Sequence, residues 1–275
     1  MMKLKKLLTG ALLAAAVVGL AAGCGGGDKK PAAQAEKKEI VVGTVPGDPE
    51  TVLEFVAKEA EKQGLVVKVK VFSDYVTPDQ ALASGDIDLN AMQHGPFLTA
   101  FNEKSGTELV PIGNTYLAPL RIFSNKITSI ADVKEGDTVA IPNDPSNGGR
   151  ALLLLQKAGL ITLKDGIVIT KATPQDITAN PKNLHIIELE APQLPRSLDD
   201  TACSVINSGY ASAAGLDYQK ALAVEDDTSP YVNIIAARKA DKDNPAYVKF
   251  VKIFQSESVK KFINDTCKGA LIPAF

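Results

Sequence analysis

Asp137-Thr138-Val139-Ala140-Ile141-Pro142-Asn143-Asp144-Pro145-Ser146-Asn147-Gly148-Gly149-Arg150-Ala151-Leu152-Leu153-Leu154-Leu155-Gln156-Lys157-Ala158-Gly159 decides the fold. Asp137–Ile141 is apolar and β-branched enough for a buried strand. Two prolines flank Asn143-Asp144, which predicts a turn. Asn147–Ala158 then carries apolar residues at helical spacing, and Gly159 supplies the stop. A strand passing through a tight turn into a helix is the repeating unit of α/β proteins.

Working outward, the same alternation recurs. Strands are predicted at Ile40–Thr44, Leu65–Phe72 and Ile87–Ala91, near Leu109–Gly113 and Leu120–Ser124, and at Leu184–Glu190, Ser204–Asn207 and Val232–Ala237. Between them, Glu50–Gln63 and Pro78–Ser84 read as helices, another follows Pro96, and Pro245–Asp265 holds two more helical stretches. Strands alternating with helices predict a parallel α/β sheet, and no internal repeat is visible. At 275 residues the chain suffices for two lobes. We assign residues 39–120 with 232–275 to one and 121–231 to the other. A chain that crosses between lobes more than once leaves a cleft, where ligands of such folds bind.

The N-terminus has its own organisation. Lys3, Lys5 and Lys6 precede the uncharged apolar run Leu7–Leu20, too short for a stable membrane span but suited to a signal peptide over residues 1–23. Ala21-Ala22-Gly23-Cys24 resembles the bacterial lipobox, which implies cleavage before Cys24 and a diacylglyceryl group on its sulfur. Acyl chains anchor a protein by about 0.8 kcal/mol per buried CH₂. Residues 24–38, rich in Gly, Lys and Ala and free of aromatics, form a tether that cannot bury enough apolar surface to order itself.

Composition excludes several classes. Without residues 1–23 the chain holds 27 bases against 32 acids, a net charge of −5, so no basic face for nucleic acid is expected. Aromatics are 5% and Trp is absent, which leaves few stacking platforms. The two histidines, His94 and His185, lie far apart, and no Cys-x-x-Cys pair exists, so no metal and no cofactor is expected. Neither a Gly-x-Ser-x-Gly elbow nor a phosphate loop occurs. Cys203 and Cys267 either pair in an exported compartment or remain thiols.

Several linked blocks carry a resemblance. They are Asn90-Ala91-Met92-Gln93-His94-Gly95-Pro96-Phe97-Leu98, Gly113-Asn114-Thr115-Tyr116, the stretch Ala140–Gln156, Glu188-Leu189-Glu190-Ala191-Pro192-Gln193-Leu194-Pro195-Arg196 and Ser229-Pro230-Tyr231-Val232-Asn233. From about Ile40 to the C-terminus the chain resembles the methionine-binding lipoproteins, the substrate-binding components of methionine ABC importers. The resemblance implies a two-lobed periplasmic-binding fold, a methionine-like ligand, a monomer anchored by lipid, and delivery to a permease with its ATPase subunits.

It also implies a site. Arg150, at a helix start, suits a ligand carboxylate, with the helix N-terminus adding N–H groups. Asn207 and Asn233 can accept from an ammonium and donate to a carboxylate. Asn147 either contacts the carboxylate or caps the helix. Tyr75, Met92, His94, Phe97 and Tyr116 would surround the side chain, with Asn114 carried over from its block. Met92 and Phe97 stand where the family more often has Phe and Tyr. The ligand stays open among L-methionine, its D-isomer, a Met-containing dipeptide and another apolar amino acid. An enzyme on the same fold would need a nucleophilic Cys beside an arginine cluster, and Arg121, Arg150, Arg196 and Arg238 are scattered. A surface lipoprotein with a vestigial cleft is the remaining alternative.

Overall fold

Residues 37–226 and 229–275 are described by the computed structural model. The expected signal peptide, the lipid-bearing Cys24 and the tether as far as residue 36 lie outside the described residues. The last two tether residues already touch the body. Lys37 pairs with Asp88, and the Lys38 carbonyl accepts from the Val66 N–H at 2.9 Å.

In chain order the first run is β1 (Glu39–Thr44), α1 (Asp48–Lys62), β2 (Val66–Val71), α2 (Thr77–Ser84), β3 (Leu89–His94), α3 (Gly95–Ser105) and β4 (Leu109–Leu117). A second run follows: β5 (Arg121–Phe123), β6 (Thr138–Pro142), α4 (Pro145–Lys157), β7 (Thr162–Leu163), β8 (Ile177–Ala179), β9 (His185–Leu189), α5 (Leu194–Ser197), β10 (Cys203–Ile206), α6 (Ser208–Ala213) and β11 (Ala223–Val224). The chain closes with β12 (Val232–Arg238), α7 (Pro245–Phe254), α8 (Glu257–Cys267) and β13 (Ile272–Pro273).

Two main sheets result, ordered β13-β4-β12-β3-β1-β2 and β11-β5-β10-β6-β9, with β7 and β8 as a separate pair. The chain passes between the main sheets twice, from β4 to β5 and from β11 to β12. The expectation of a parallel sheet needs correcting, because both sheets are mixed. β1, β2 and β3 run parallel, as do β6, β9 and β10, while β12 is antiparallel to β3 and β4, and β5 to β10 and β11. The reversal follows from the connections. A strand reached without a crossover helix is free to run against its neighbour.

Each sheet has its own core. α1 opens on Asp48-Pro49-Glu50, acidic residues at the positive end of the helix dipole, and buries Val52, Leu53, Val56 and Ala60. These meet Ile40, Val42, Phe250 and Ile263. On the second sheet, α4 is capped by the Asp144 carboxylate, which accepts from the Asn147 N–H at 2.9 Å, and Pro145 occupies the first turn. Leu152, Leu154 and Leu155 then pack onto Val139, Ile141 and Val205, each contributing roughly 1.5–3 kcal/mol. A Cβ at Gly149 would lie 1.7 Å from the Ile169 carbonyl oxygen, so only glycine lets α4 approach that segment.

The halves also touch away from the two crossings. Gly47 has φ 92°, and a Cβ there would lie 2.2 Å from Ser212 Oγ and 2.3 Å from the Gly209 carbonyl oxygen. The Asp48 N–H donates to Ser212 Oγ at 2.7 Å, and the Tyr218 hydroxyl donates to Asp48 Oδ2 at 3.0 Å. Cys203 and Cys267 are free and buried in different cores, so the disulfide left open by the sequence is not made. Burial pushes both thiols up to about 12.

Candidate ligand-binding site

A cavity lies at the C-terminal ends of β1 and β3 in one sheet and of β10 in the other. From the first sheet come Val45 and Pro49 after β1, Met92, Gln93 and His94 on β3, Phe97 on α3, and Asn233 on β12. Tyr75 enters from the turn before α2. Opposite stand Asn147 and Arg150 from the first turns of α4, and Asn207, Ser208 and Gly209 where β10 runs into α6. Ala118, on the first crossing, completes the wall.

Arg150 is not the solvent-facing helical arginine that its position on α4 would ordinarily suggest. Its side chain is 2% exposed. Nε donates to Glu225 Oε1 at 2.8 Å, Nη2 pairs with Glu225 Oε2, and Nη2 also donates to the Ala118 carbonyl at 3.0 Å. The Tyr231 ring lies under the guanidinium, 4.5 Å from its centre. Nη1 makes no hydrogen bond among the described residues.

A hydrogen-bond network braces this wall. Asn147 Oδ1 accepts from Asn207 Nδ2 and from His94 Nε2, both at 3.1 Å, while Asn147 Nδ2 donates to Asp144 Oδ1 at 3.1 Å and Oδ2 at 2.9 Å. Both acceptor positions of its amide oxygen are thereby used, while the two Asp144 oxygens share one N–H of Nδ2. Asn147 is a cross-brace, and the first N–H of the cap belongs to Asp144. His94 is likewise engaged at both nitrogens, because Nδ1 accepts from the Phe97 N–H at 3.1 Å. The proton therefore sits on Nε2, and His94 meets the cavity with its ring rather than with a free donor. Desolvation, then the nearby Arg150 charge, lowers its pKa to about 3, so it is neutral.

Asn207 Oδ1 is buried without a partner among the described residues. Asn233 donates Nδ2 to the Met92 carbonyl at 3.1 Å. Burial raises the Asp144 carboxyl, opposed by hydrogen bonds from Asn147 and Ser146. The remaining wall is apolar. Val45, Met92 and Phe97 form one buried cluster with Tyr75 against it, and the Tyr75 and Phe97 rings meet edge-on at 5.9 Å.

Eight of the ten residues expected at the site thus line one cavity. Two do not. Asn114 is exposed on β4, its carbonyl accepting from Gln255 Nε2 at 2.9 Å. Tyr116 is sealed in the first core, 1% exposed, with its ring 6.4 Å from Phe254. Glu225, Tyr231 and Asp144 had no role in the sequence reading. Tyr231 and Asp144 lay inside the quoted blocks, but nothing near Glu225 in the chain connects it to Arg150. Among the described residues no cluster of His, Cys, Asp or Glu could hold a metal ion.

Two mixed α/β halves, joined by two crossings around a cavity of carboxamides, one buried guanidinium and an apolar wall, define a two-lobed binding protein of the periplasmic type. The sequence model of the NlpA lipoprotein family matches residues 40–275, and the chain belongs to that family. It is 47% identical to the D-methionine-binding lipoprotein MetQ of Salmonella typhi over 272 residues, 97% of this chain and 98% of the relative. Among solved structures, a nutrient-binding protein from Burkholderia cenocepacia bound to methionine is 48% identical, with a TM-score of 0.83 over 86% of this chain and all of that one. An ABC transporter periplasmic substrate-binding protein from Coxiella burnetii is 43% identical, with a TM-score of 0.82 over the same shares.

Proposed function

We propose that this protein is a lipid-anchored substrate-binding protein that captures methionine outside the cell membrane and delivers it to an ABC importer. The observation that carries the reading is the cavity itself, where a buried guanidinium and a partnerless amide oxygen face an apolar wall. A free amino acid needs all three. The ligand carboxylate meets Arg150 Nη1, and the ammonium meets the side-chain oxygens of Asn207 and Asn233. The thioether packs among Tyr75, Met92 and Phe97, at about 0.3–1.5 kcal/mol per sulfur–ring contact. His94 is a neutral wall, and Asn147 holds His94 and Asn207 in place. The names of the relatives, methionine-binding lipoproteins and an ABC transporter component, support the ligand and the partner.

For this purpose residues 39–120 with 232–275 act as one lobe and 121–231 as the other. Each supplies part of the grip, so the ligand stabilises the closed form. The acylated Cys24 keeps the monomer at the membrane, and the importer's ATPase subunits hydrolyse ATP while the binding protein turns nothing over. Calorimetric titration of the mature protein in detergent, unfolded and refolded to strip carried-over ligand, tests this. One-to-one binding of L- or D-methionine, abolished by Arg150→Ala and by Asn233→Ala, is the expected result. Silence toward both isomers from a correctly refolded protein would sink the reading.

A further inference from the structure

Among the described residues the cavity lining contains one charged side chain, Arg150, and no acid. A zwitterion offers a carboxylate and an ammonium, yet the wall holds no carboxylate to meet the ammonium. Judged on its lining alone, such a site would favour a simple carboxylate over an amino acid, because an unbalanced buried cation attracts net negative charge. The missing acid stands one layer behind. Glu225 grips the Nε–Nη2 edge of Arg150, and its side chain is 10% exposed. Its carboxylate is itself fixed, Oε2 accepting from the Leu120 N–H at 3.1 Å and Oε1 from Ser229 Oγ at 2.9 Å. Leu120 and Ser229 belong to the two segments that cross between the sheets.

We infer that Glu225 sets the charge selectivity of the cavity. By holding Arg150 in a two-pronged ion pair, it lets the guanidinium orient a carboxylate while cancelling the net positive charge that would draw in an anion. The inference rests on the proposed methionine-binding role. The other ionisable neighbours do not undo it. His94 is neutral with both nitrogens engaged, and Asp144, held by hydrogen bonds from Asn147 and Ser146, also lies within reach of the Arg150 charge, on the same side of the balance as Glu225. A ligand carboxylate on Nη1 therefore shares one guanidinium with the Glu225 carboxylate, and the two repel. A zwitterion offsets this repulsion with its own ammonium. An acid of the same shape without the ammonium cannot, and the cavity refuses it.

The test compares L-methionine with L-2-hydroxy-4-(methylthio)butanoate, which keeps the thioether chain and carboxylate but replaces the ammonium with a hydroxyl. Both are titrated into the refolded mature protein and into Glu225→Gln, Glu225→Met and Glu225→Asp. The wild type is expected to prefer methionine by at least about 100-fold. Either neutral variant is expected to narrow that ratio by about tenfold or more, chiefly by strengthening the hydroxy acid. Glu225→Asp keeps the charge and should keep the ratio, even if both ligands weaken. Were Glu225 a purely structural prop, its neutral variants would weaken both ligands alike and leave the ratio unmoved, which would overturn the inference. A wild type that binds the hydroxy acid within about tenfold of methionine would overturn it with no variant needed. A wild type that binds neither isomer of methionine refutes the proposed function instead, and the two failures are thereby distinguished.

Discussion

His94 and Asn147 belong to different halves of the molecule and are joined by one buried hydrogen bond of 3.1 Å between Nε2 and Oδ1. The bond fixes the imidazole tautomer and ties the end of β3 to the first turn of α4 across the cavity. With a folded pKa of about 3 against an ordinary 6.5, His94 carries no proton over the physiological range. Its contribution to stability is present above pH 6.5 and is lost as pH falls toward 3, because the unfolded imidazole takes up the proton first. The His94 ring resonance, assigned with a His94→Gln variant, should stay unchanged from pH 8 to about 4.5. A titration centred near 6.5 would show the ring to be hydrated and the brace open.

Asp79 gives the opposite slope. It is wholly buried on α2, accepts from Asn90 Nδ2 at 2.8 Å through Oδ1, and leaves Oδ2 without a partner among the described residues. Desolvation raises its pKa to about 6. Between the unfolded value of 3.8 and about 6 the folded state holds the proton and the unfolded state does not, so stability falls as pH rises through that window. Asp79→Asn is expected to stabilise the protein by about 1–3 kcal/mol at pH 7.5 and to change little at pH 4. Thermal unfolding at the two pH values is the measurement, and equal shifts at both would refute the argument.

Removing the cation from the ion pair should be costly twice over. Arg150→Met strands the Glu225 carboxylate in a site where both partners are nearly enclosed. Breaking such a pair costs about 3–5 kcal/mol. Denaturant unfolding is expected to show that loss, and titration with methionine a fall of at least about 100-fold. The double variant Arg150→Met/Glu225→Met should recover most of the stability and none of the binding.

The two cysteines should be chemically silent. Their thiols are buried and held near 12, so almost no thiolate exists at pH 8. Iodoacetamide is expected to label neither Cys203 nor Cys267 in the native protein and both after unfolding. Rapid native labelling of either would mean that its core opens readily.

At Gly149 the fold has no room for a side chain, since a Cβ would meet the Ile169 carbonyl oxygen. Gly149→Ala should therefore destabilise the protein by at least about 2 kcal/mol, despite the better helix propensity of alanine. Chemical denaturation decides it, and a neutral or stabilising result would mean that α4 and its neighbour separate easily.

What the sequence made legible was local. The strand–turn–helix at Asp137–Gly159 appears as β6 and α4, with the helix starting at Pro145 rather than Asn147 because Asp144 caps it and proline tolerates a first turn. β3 was expected over Ile87–Ala91 and runs over Leu89–His94. Its final residues are polar, which hides a buried strand from hydropathy, yet Asn90 is paired with Asp79 and Gln93, and His94 with Asn147. Strand direction was not legible, since it depends on how segments cross between sheets. Asn114 and Tyr116 were placed at the site because their block matched, but position along β4 decides what each one faces. Glu225 could not have been found, because 75 residues separate it from Arg150 and only the folded chain joins them.

The ion pair between Arg150 and Glu225 has a consequence for when water leaves the site. A guanidinium that must be dehydrated as its ligand arrives subtracts that cost from every binding event. Here Glu225, the Ala118 carbonyl and the Tyr231 ring have already replaced most of the hydration shell of Arg150. Most of its drying is therefore a step of folding, and an arriving ligand has water to displace only from the Nη1 end of a cation already aimed.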